Sequence, residues 1–177
     1  MMIADETVPL ENVKAAVRSV SDISDYAVLE LDHPDYVIYA QASLPAGQDV
    51  ISELITHVQD ATQGIPDIRI EEIIVVGSSE PTVDGRGSPV DSTHSIEAAL
   101  AKRSWELALN VENVVLADDF LDLGGDSLCA IEISARLEAA LAIPVPPTVL
   151  VSTGNLAAFA EYLTVARRAM KDDVARK

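Results

Sequence analysis

Asp119-Phe120-Leu121-Asp122-Leu123-Gly124-Gly125-Asp126-Ser127-Leu128 runs a polar, glycine-containing loop straight into an apolar periodic segment. Downstream, Cys129, Ile133, Leu137 and Leu141 repeat every four residues, with Ala130 and Ala140 beside them. That spacing predicts a helix from Ser127 to Leu141, the strongest in the chain, with this stripe in the core. Ser127 therefore stands where loop becomes helix. A serine there ordinarily caps the helix, its hydroxyl accepting from an unpaired backbone N–H. Gly124 and Gly125 let the backbone turn sharply and leave room for close approach. Leu128, Ile131 and Ala135 lie on the turn shared with Ser127, either as part of a broad core face or as a docking patch for a partner.

Upstream, Ser92 or Thr93 can cap a helix that runs to about Leu109, supported by Glu97. Ile96, Ala99, Leu100, Leu107 and Ala108 are its apolar positions and Trp105 an anchor, with Lys102 and Arg103 on the solvated side. The connection from Asn110 to Asp126 is long, which in a compact domain points to function or disorder. Val114, Val115, Leu116, Phe120, Leu121 and Leu123 supply enough apolar pins to expect order. Beyond Leu141, Ile143-Pro144-Val145-Pro146-Pro147 breaks the helix. Thr148 to Val151 can form one helical turn, and Leu156 to about Ala169 a last helix, with a charged, frayed tail after Met170. The whole is a four-helix arrangement with a short third helix.

The first half reads differently. Val13, Ala16, Val17 and Val20 mark one helical face, Tyr26 to Leu31 and Tyr36 to Leu44 an antiparallel hairpin around His33-Pro34-Asp35, and Asp49 to Ala61 a second amphipathic helix. Gly64 and Pro66 end that helix. Ile68 to Val76 becomes continuously apolar and is expected to be a well-buried strand. Asp84-Gly85 reads as a tight hairpin turn. The order helix, strand, strand, helix, strand, plus a small hairpin, describes an α+β domain of about 80 residues. No glycine-rich phosphate loop or Cys/His cluster accompanies it, and His33, His57 and His94 read as surface residues.

The 177 residues carry 29 acids and 12 bases, a formal charge of −17. That balance argues against nucleic acid as a partner, because phosphate binding needs clustered Lys and Arg. Residues 1–90 hold 16 acids and 4 bases, residues 91–177 hold 13 and 8. The shift coincides with the turn-rich stretch Glu80 to Pro89, so the expected domains are 1–90 and 91–177. A single cysteine, Cys129, excludes an internal disulfide and suits a reducing compartment. No apolar run reaches membrane-spanning length, and Met1 to Leu10 is acidic rather than signal-like. A cytoplasmic protein without membrane partners is expected.

The second half resembles the peptidyl carrier (thiolation) domains of nonribosomal peptide synthetases. The resemblance covers about Ile96 to Leu163 and centres on Asp119 to Leu128. Pro146-Pro147-Thr148-Val149-Leu150 and Leu156-Ala157-Ala158-Phe159-Ala160 match the family's short and final helices. It implies that Ser127 carries covalent 4′-phosphopantetheine, whose phosphate would lie at a helix N-terminus, where N–H groups and the dipole favour an anion. Asp126 then has a docking or metal-proximal role beside its reading as a cap. Gly125 supports attachment, and Leu128 and Ile131 are implied docking positions. The acids Glu112, Asp118, Asp119, Asp122, Asp126, Glu132 and Glu138 form either a solvated face or a docking surface for a basic phosphopantetheinyl transferase. Adenylation, condensation, thioesterase or tailoring enzymes are the other implied partners.

The first half resembles the small C-terminal subdomain of adenylation domains in the same synthetases. Val8-Pro9-Leu10-Glu11-Asn12-Val13 resembles the helix after the hinge, and Thr82-Val83-Asp84-Gly85-Arg86 the closing turn. The family's catalytic lysine falls at Arg86, whose planar fork does not replace an ammonium. The hinge and the nucleotide-binding core are absent, which leaves a truncated or degenerate subdomain. An alternative has the Arg86 turn complementing a separate ATP-binding core, and another makes this half a structural recruiting module.

Other chemistries fit poorly. A Gly-x-Ser-x-Gly hydrolase elbow fails because Cys129 replaces the second glycine. Asp122, Gly124 and Asp126 miss the register of a calcium loop. Cys129, on an apolar stripe, reads as an inert thiol. The expected protein is a covalent carrier with no catalytic activity of its own and no metal, holding an acyl or aminoacyl thioester for nonribosomal peptide assembly.

Overall fold

The computed structural model describes residues 7–21, 23–31, 35–42, 48–63, 69–76 and 95–176. The chain divides into two compact units, Met1–Glu80 and Pro81–Lys177. The proposed boundary at 90/91, the hairpin turn at Asp84-Gly85, Arg86, Ser92, Thr93, His33 and His94 lie outside the described residues.

In the first unit α1 (Thr7–Ser19), β1 (Ile23–Glu30), β2 (Asp35–Ala42), α2 (Gln48–Thr62) and β3 (Arg69–Val76) follow in the expected order. The sheet order is β1-β2-β3. β1 and β2 pair antiparallel, Val28 opposite Ile38, while β2 and β3 pair parallel, Ile38 opposite Ile73. A parallel pair needs a crossover, and α2 supplies it. Val13, Val17 and Val20 pack with Leu54 and Val58 of α2 against Val28, Ile38 and Ala40 of the sheet. Ala27, Leu29, Val37 and Tyr39, which alternate with these along the strands, are buried as well. β3 is not the well-buried strand expected. Of its residues only Val76 is fully buried, and Arg69, Glu71 and Glu72 are exposed. The reason is its place at one side of the described sheet, with β2 in the centre.

In the second unit the elements among the described residues are helices: α3 (Ile96–Leu109), α4 (Ser127–Leu141), the short α5 (Pro147–Thr153) and α6 (Leu156–Ala175). Its core is aromatic at the centre. Trp105 meets Phe120 edge-on at 5.4 Å between centroids and Phe159 at 6.0 Å. Ile133, Leu137, Leu150 and Leu163 are fully buried as well. Two boundaries differ from expectation. Ser95 is the cap of α3, its Oγ accepting from Ala98 N at 3.1 Å. Glu97 turns inward, its carboxylate 3.0 Å from Arg167 of α6 in a buried ion pair. α6 continues past Ala169 to Ala175, since no Gly or Pro interrupts it and Met170 and Val174 prolong its apolar spacing.

Candidate functional site

The site is built by the long connection between α3 and α4. Asn110 ends α3 in the left-handed region at φ 52°. Val114 and Phe120 are buried and pin the connection to the core, whereas Val115 and Leu121 are exposed. Its backbone is stitched to the α5–α6 junction. Phe120 N donates to Gly154 O (2.8 Å), Leu156 N to Asp118 O (3.0 Å) and Ala157 N to Leu116 O (2.9 Å). Asp118 Oδ2 accepts from Val115 N, and Asp119 Oδ1 from Leu121 N. Asn155 caps α6 through Ala158 N at 2.9 Å, so it fixes the element to which the connection is tied. An Asn just before an apolar periodic run is the sequence signal for that role.

The two glycines have separate reasons. Gly124 has φ +88°, a conformation side chains resist, and open space around it. Gly125 lies against Phe120: a Cβ there would sit 2.5 Å from its carbonyl oxygen and 2.6 Å from its ring. Gly125 N donates to that carbonyl at 2.9 Å. The buried ring thus sets where the last loop residues stand.

Ser127 is exposed and is the first residue of α4. It is not the cap. Asp126 is, with extended backbone and Oδ1 accepting from Cys129 N at 2.9 Å. The hydrogen bonds from Cys129 and Leu128 hold the Asp126 carboxyl below the usual aspartate value. The carboxylate shares the helix end with any phosphate on Ser127, so the N–H groups there are not simply vacant for an anion. The Ser127 hydroxyl, relieved of capping, is left at the surface.

Cys129 is half-buried and its Sγ donates to Ala108 O at 3.6 Å. Burial pushes its thiol up, which suits an inert role. Leu128 and Ile131 are 72% and 55% exposed, so they leave the core face to Ile133, Leu137 and Leu141. Val151 of α5 and Leu121 of the connection are exposed too. Several acids have structural partners: Asp118 and Asp119 bind the connection, Glu132 pairs with Arg136 at 2.8 Å, and Glu138 accepts from Val145 N at 2.7 Å. His57, on α2, lies 3.0 Å from Glu53 O and far in sequence from this region. Among the described residues no group of three His, Cys, Asp or Glu could hold a metal, and no helix is long and apolar enough to cross a membrane.

Residues 102–163 match the family described as the phosphopantetheine attachment site. Tyrocidine synthase 3 of Brevibacillus parabrevis is 30% identical over 77 residues, 44% of this chain and 1% of that protein. The chain thus spans about a hundredth of this relative. The A-PCP didomain of carboxylic acid reductase from Segniliparus rugosus, solved with AMP, is 17% identical, over 88% of this chain and 28% of that one, with a TM-score of 0.37. McyG A-PCP complexed with phenylalanyl-adenylate is 12% identical, over 86% and 30%, with a TM-score of 0.38. Likeness at that level adds nothing to the architecture already described. Ser127, its cap Asp126 and both glycines fall inside the matched segment. An exposed hydroxyl at a helix start, beside the open space at Gly124, fits a covalently attached arm. Residues 102–163 are accordingly similar to the phosphopantetheine-attachment family, whose members hold 4′-phosphopantetheine covalently.

Proposed function

We propose that Ser127 is the attachment residue and that the chain serves as an acyl or aminoacyl carrier in nonribosomal peptide assembly. The observation that carries this reading is the exposed Ser127 hydroxyl at the first position of α4, freed from capping by Asp126. In the attachment step Ser127 Oγ attacks the coenzyme A phosphorus that bears pantetheine. An Oγ–P bond forms, the bond to 3′,5′-ADP breaks, and the hydroxyl proton passes to a base of the transferase. The bound arm supplies a terminal thiol that holds cargo as a thioester.

The chain's own residues present and orient the attachment point. Gly125, against Phe120, positions the loop end. Asp126 fixes the helix start. Leu128 and Ile131 offer apolar docking contacts to a phosphopantetheinyl transferase and to adenylation, condensation, thioesterase or tailoring enzymes. No turnover belongs to the carrier itself, and a reducing cytoplasmic setting suits both Cys129 and a thiol arm. The helix–strand–strand–helix–strand order of the first unit supports reading it as an adenylation C-terminal subdomain, and the change in charge composition supports a boundary to the carrier at 90/91.

Intact-mass measurement after incubation with coenzyme A and a broad-specificity transferase tests the reading. One added phosphopantetheine is expected, and none on Ser127→Ala. Failure of the folded wild-type chain to gain mass would overturn it.

A further inference from the structure

Ser104 of α3 and Ser134 of α4 put hydroxyls into the helical interior, at 0% and 3% exposure. Neither Oγ has a hydrogen-bond partner among the described residues. Trp105 Nε1, on the residue next to Ser104, is buried and unpaired as well. Burial without a partner is costly for a hydroxyl, and alanine would avoid that cost at either position. Other helical hydroxyls of the chain satisfy themselves on the preceding turn. Thr62 donates to Val58 O at 3.0 Å, Thr153 to Val149 O at 2.8 Å and Thr164 to Ala160 O at 3.0 Å. Ser104 and Ser134 do not.

Two contacts fix how α3 lies along α4. At one end Cys129 Sγ donates to Ala108 O at 3.6 Å. At the other, Glu97 pairs with Arg167 at 3.0 Å, and Arg167 lines one groove with Leu141. The helices therefore run antiparallel, with Ala108 beside Cys129 and Glu97 near the level of Leu141. Ser104 stands seven residues from Glu97, and Ser134 seven from Leu141. Each span is about 10.5 Å of helix, so the two serines come level. Both lie on buried faces, Ser104 one turn from Leu100 and Ala101, Ser134 one turn from Ala130 and Leu137.

We propose that one internal water bridges Ser104 Oγ and Ser134 Oγ across the α3–α4 seam. A hydroxyl both donates and accepts, so a single water can serve the two, and an internal water typically takes two to four polar partners. Such a bridge pins the height of α4 on α3, and with it the helix start that presents Ser127. The proposal does not depend on modification of Ser127.

The test records water–protein NOE and ROE spectra of the labelled full chain. Cross-peaks from water to the amide and β protons of residues 104 and 134 are expected, with NOE and ROE of opposite sign, the mark of a held water. Ser104→Ala is expected to remove the water peaks at Ser134, and Ser134→Ala those at Ser104. Peaks that arise from exchange of each serine's own hydroxyl proton would instead survive the partner's substitution, and that result overturns the proposal. Denaturant titration of both single variants and the double variant closes a mutant cycle. The unfolding constant of the double variant is expected to differ from the product of the single effects by about threefold or more. Independent single effects, or a folded wild-type chain with no water peaks at 104 and 134, would show each hydroxyl bonded within its own helix and overturn the bridge. Circular dichroism checks that each variant keeps its helices.

Discussion

At the scale of single residues, the site depends on small groups placed where larger ones cannot go. Gly125→Ala forces a methyl into Phe120, whose ring is held by Trp105, so the loop must shift. The expected cost is about 1–3 kcal/mol by chemical denaturation, with slower attachment to Ser127. Gly124→Ala meets no atom but must adopt φ +88°, at a cost of about 1–2 kcal/mol. Equal stability of Gly125→Ala and wild type would contradict the close approach. Asp126 gives a pH signature. Its hydrogen bonds from Cys129 and Leu128 depress the folded pKa, so the stabilisation is present above the unfolded value of 3.8 and is lost as pH falls through the folded one. The stability difference between wild type and Asp126→Asn should therefore shrink on acidification below that range, measured by denaturant titration at stepped pH. The glycine pair and the serine were visible in the sequence. The division of labour between Asp126 and Ser127 was not, because either side chain can cap and only backbone geometry decides which residue sits outside the first turn.

At the scale of elements, α4 separates its two faces cleanly. Ile133 and Leu137 are fully buried, and Leu128 and Ile131 face solvent. Leu128→Asp and Ile131→Asp are expected to leave the melting temperature nearly unchanged while slowing attachment and acyl transfer, read by mass spectrometry of initial rates. A large drop in stability would instead make both residues core. The join of α3 to α6 depends on Glu97 and Arg167. Glu97→Ala removes the carboxylate partner of a buried guanidinium and should cost up to about 3–5 kcal/mol, whereas Glu97→Leu with Arg167→Met should come close to wild type. That pairing was out of reach of the sequence, since Glu97 in a first helical turn reads as a capping-box acid and its partner lies 70 residues away. The helix types and order were legible because their apolar spacing is local. The burial of β3 was not, since an apolar run looks the same in the middle of a sheet and at its side.

At the scale of the whole molecule, charge governs encounters. With a formal charge of −17, association with a basic transferase should be steered electrostatically. The initial rate of Ser127 modification is expected to fall as salt rises from roughly 0.01 to 0.15 M, where the Debye length shrinks from about 30 to about 8 Å. A salt-independent rate would argue that the acids are only a solvated face. Asp118, Asp119, Glu132 and Glu138 already have partners within the fold, which leaves less of that charge for docking than its count suggests. The sequence by itself determined the element order of each half, the change of composition near residue 90 and the serine at the loop-to-helix junction. Each of these follows from short-range spacing and residue type. Only the tertiary structure decided that Asp126 caps in place of Ser127, that Phe120 dictates Gly125, and that Glu97 pairs with Arg167. Each of those depends on which distant residues share a small volume, and chain-local patterns do not encode it.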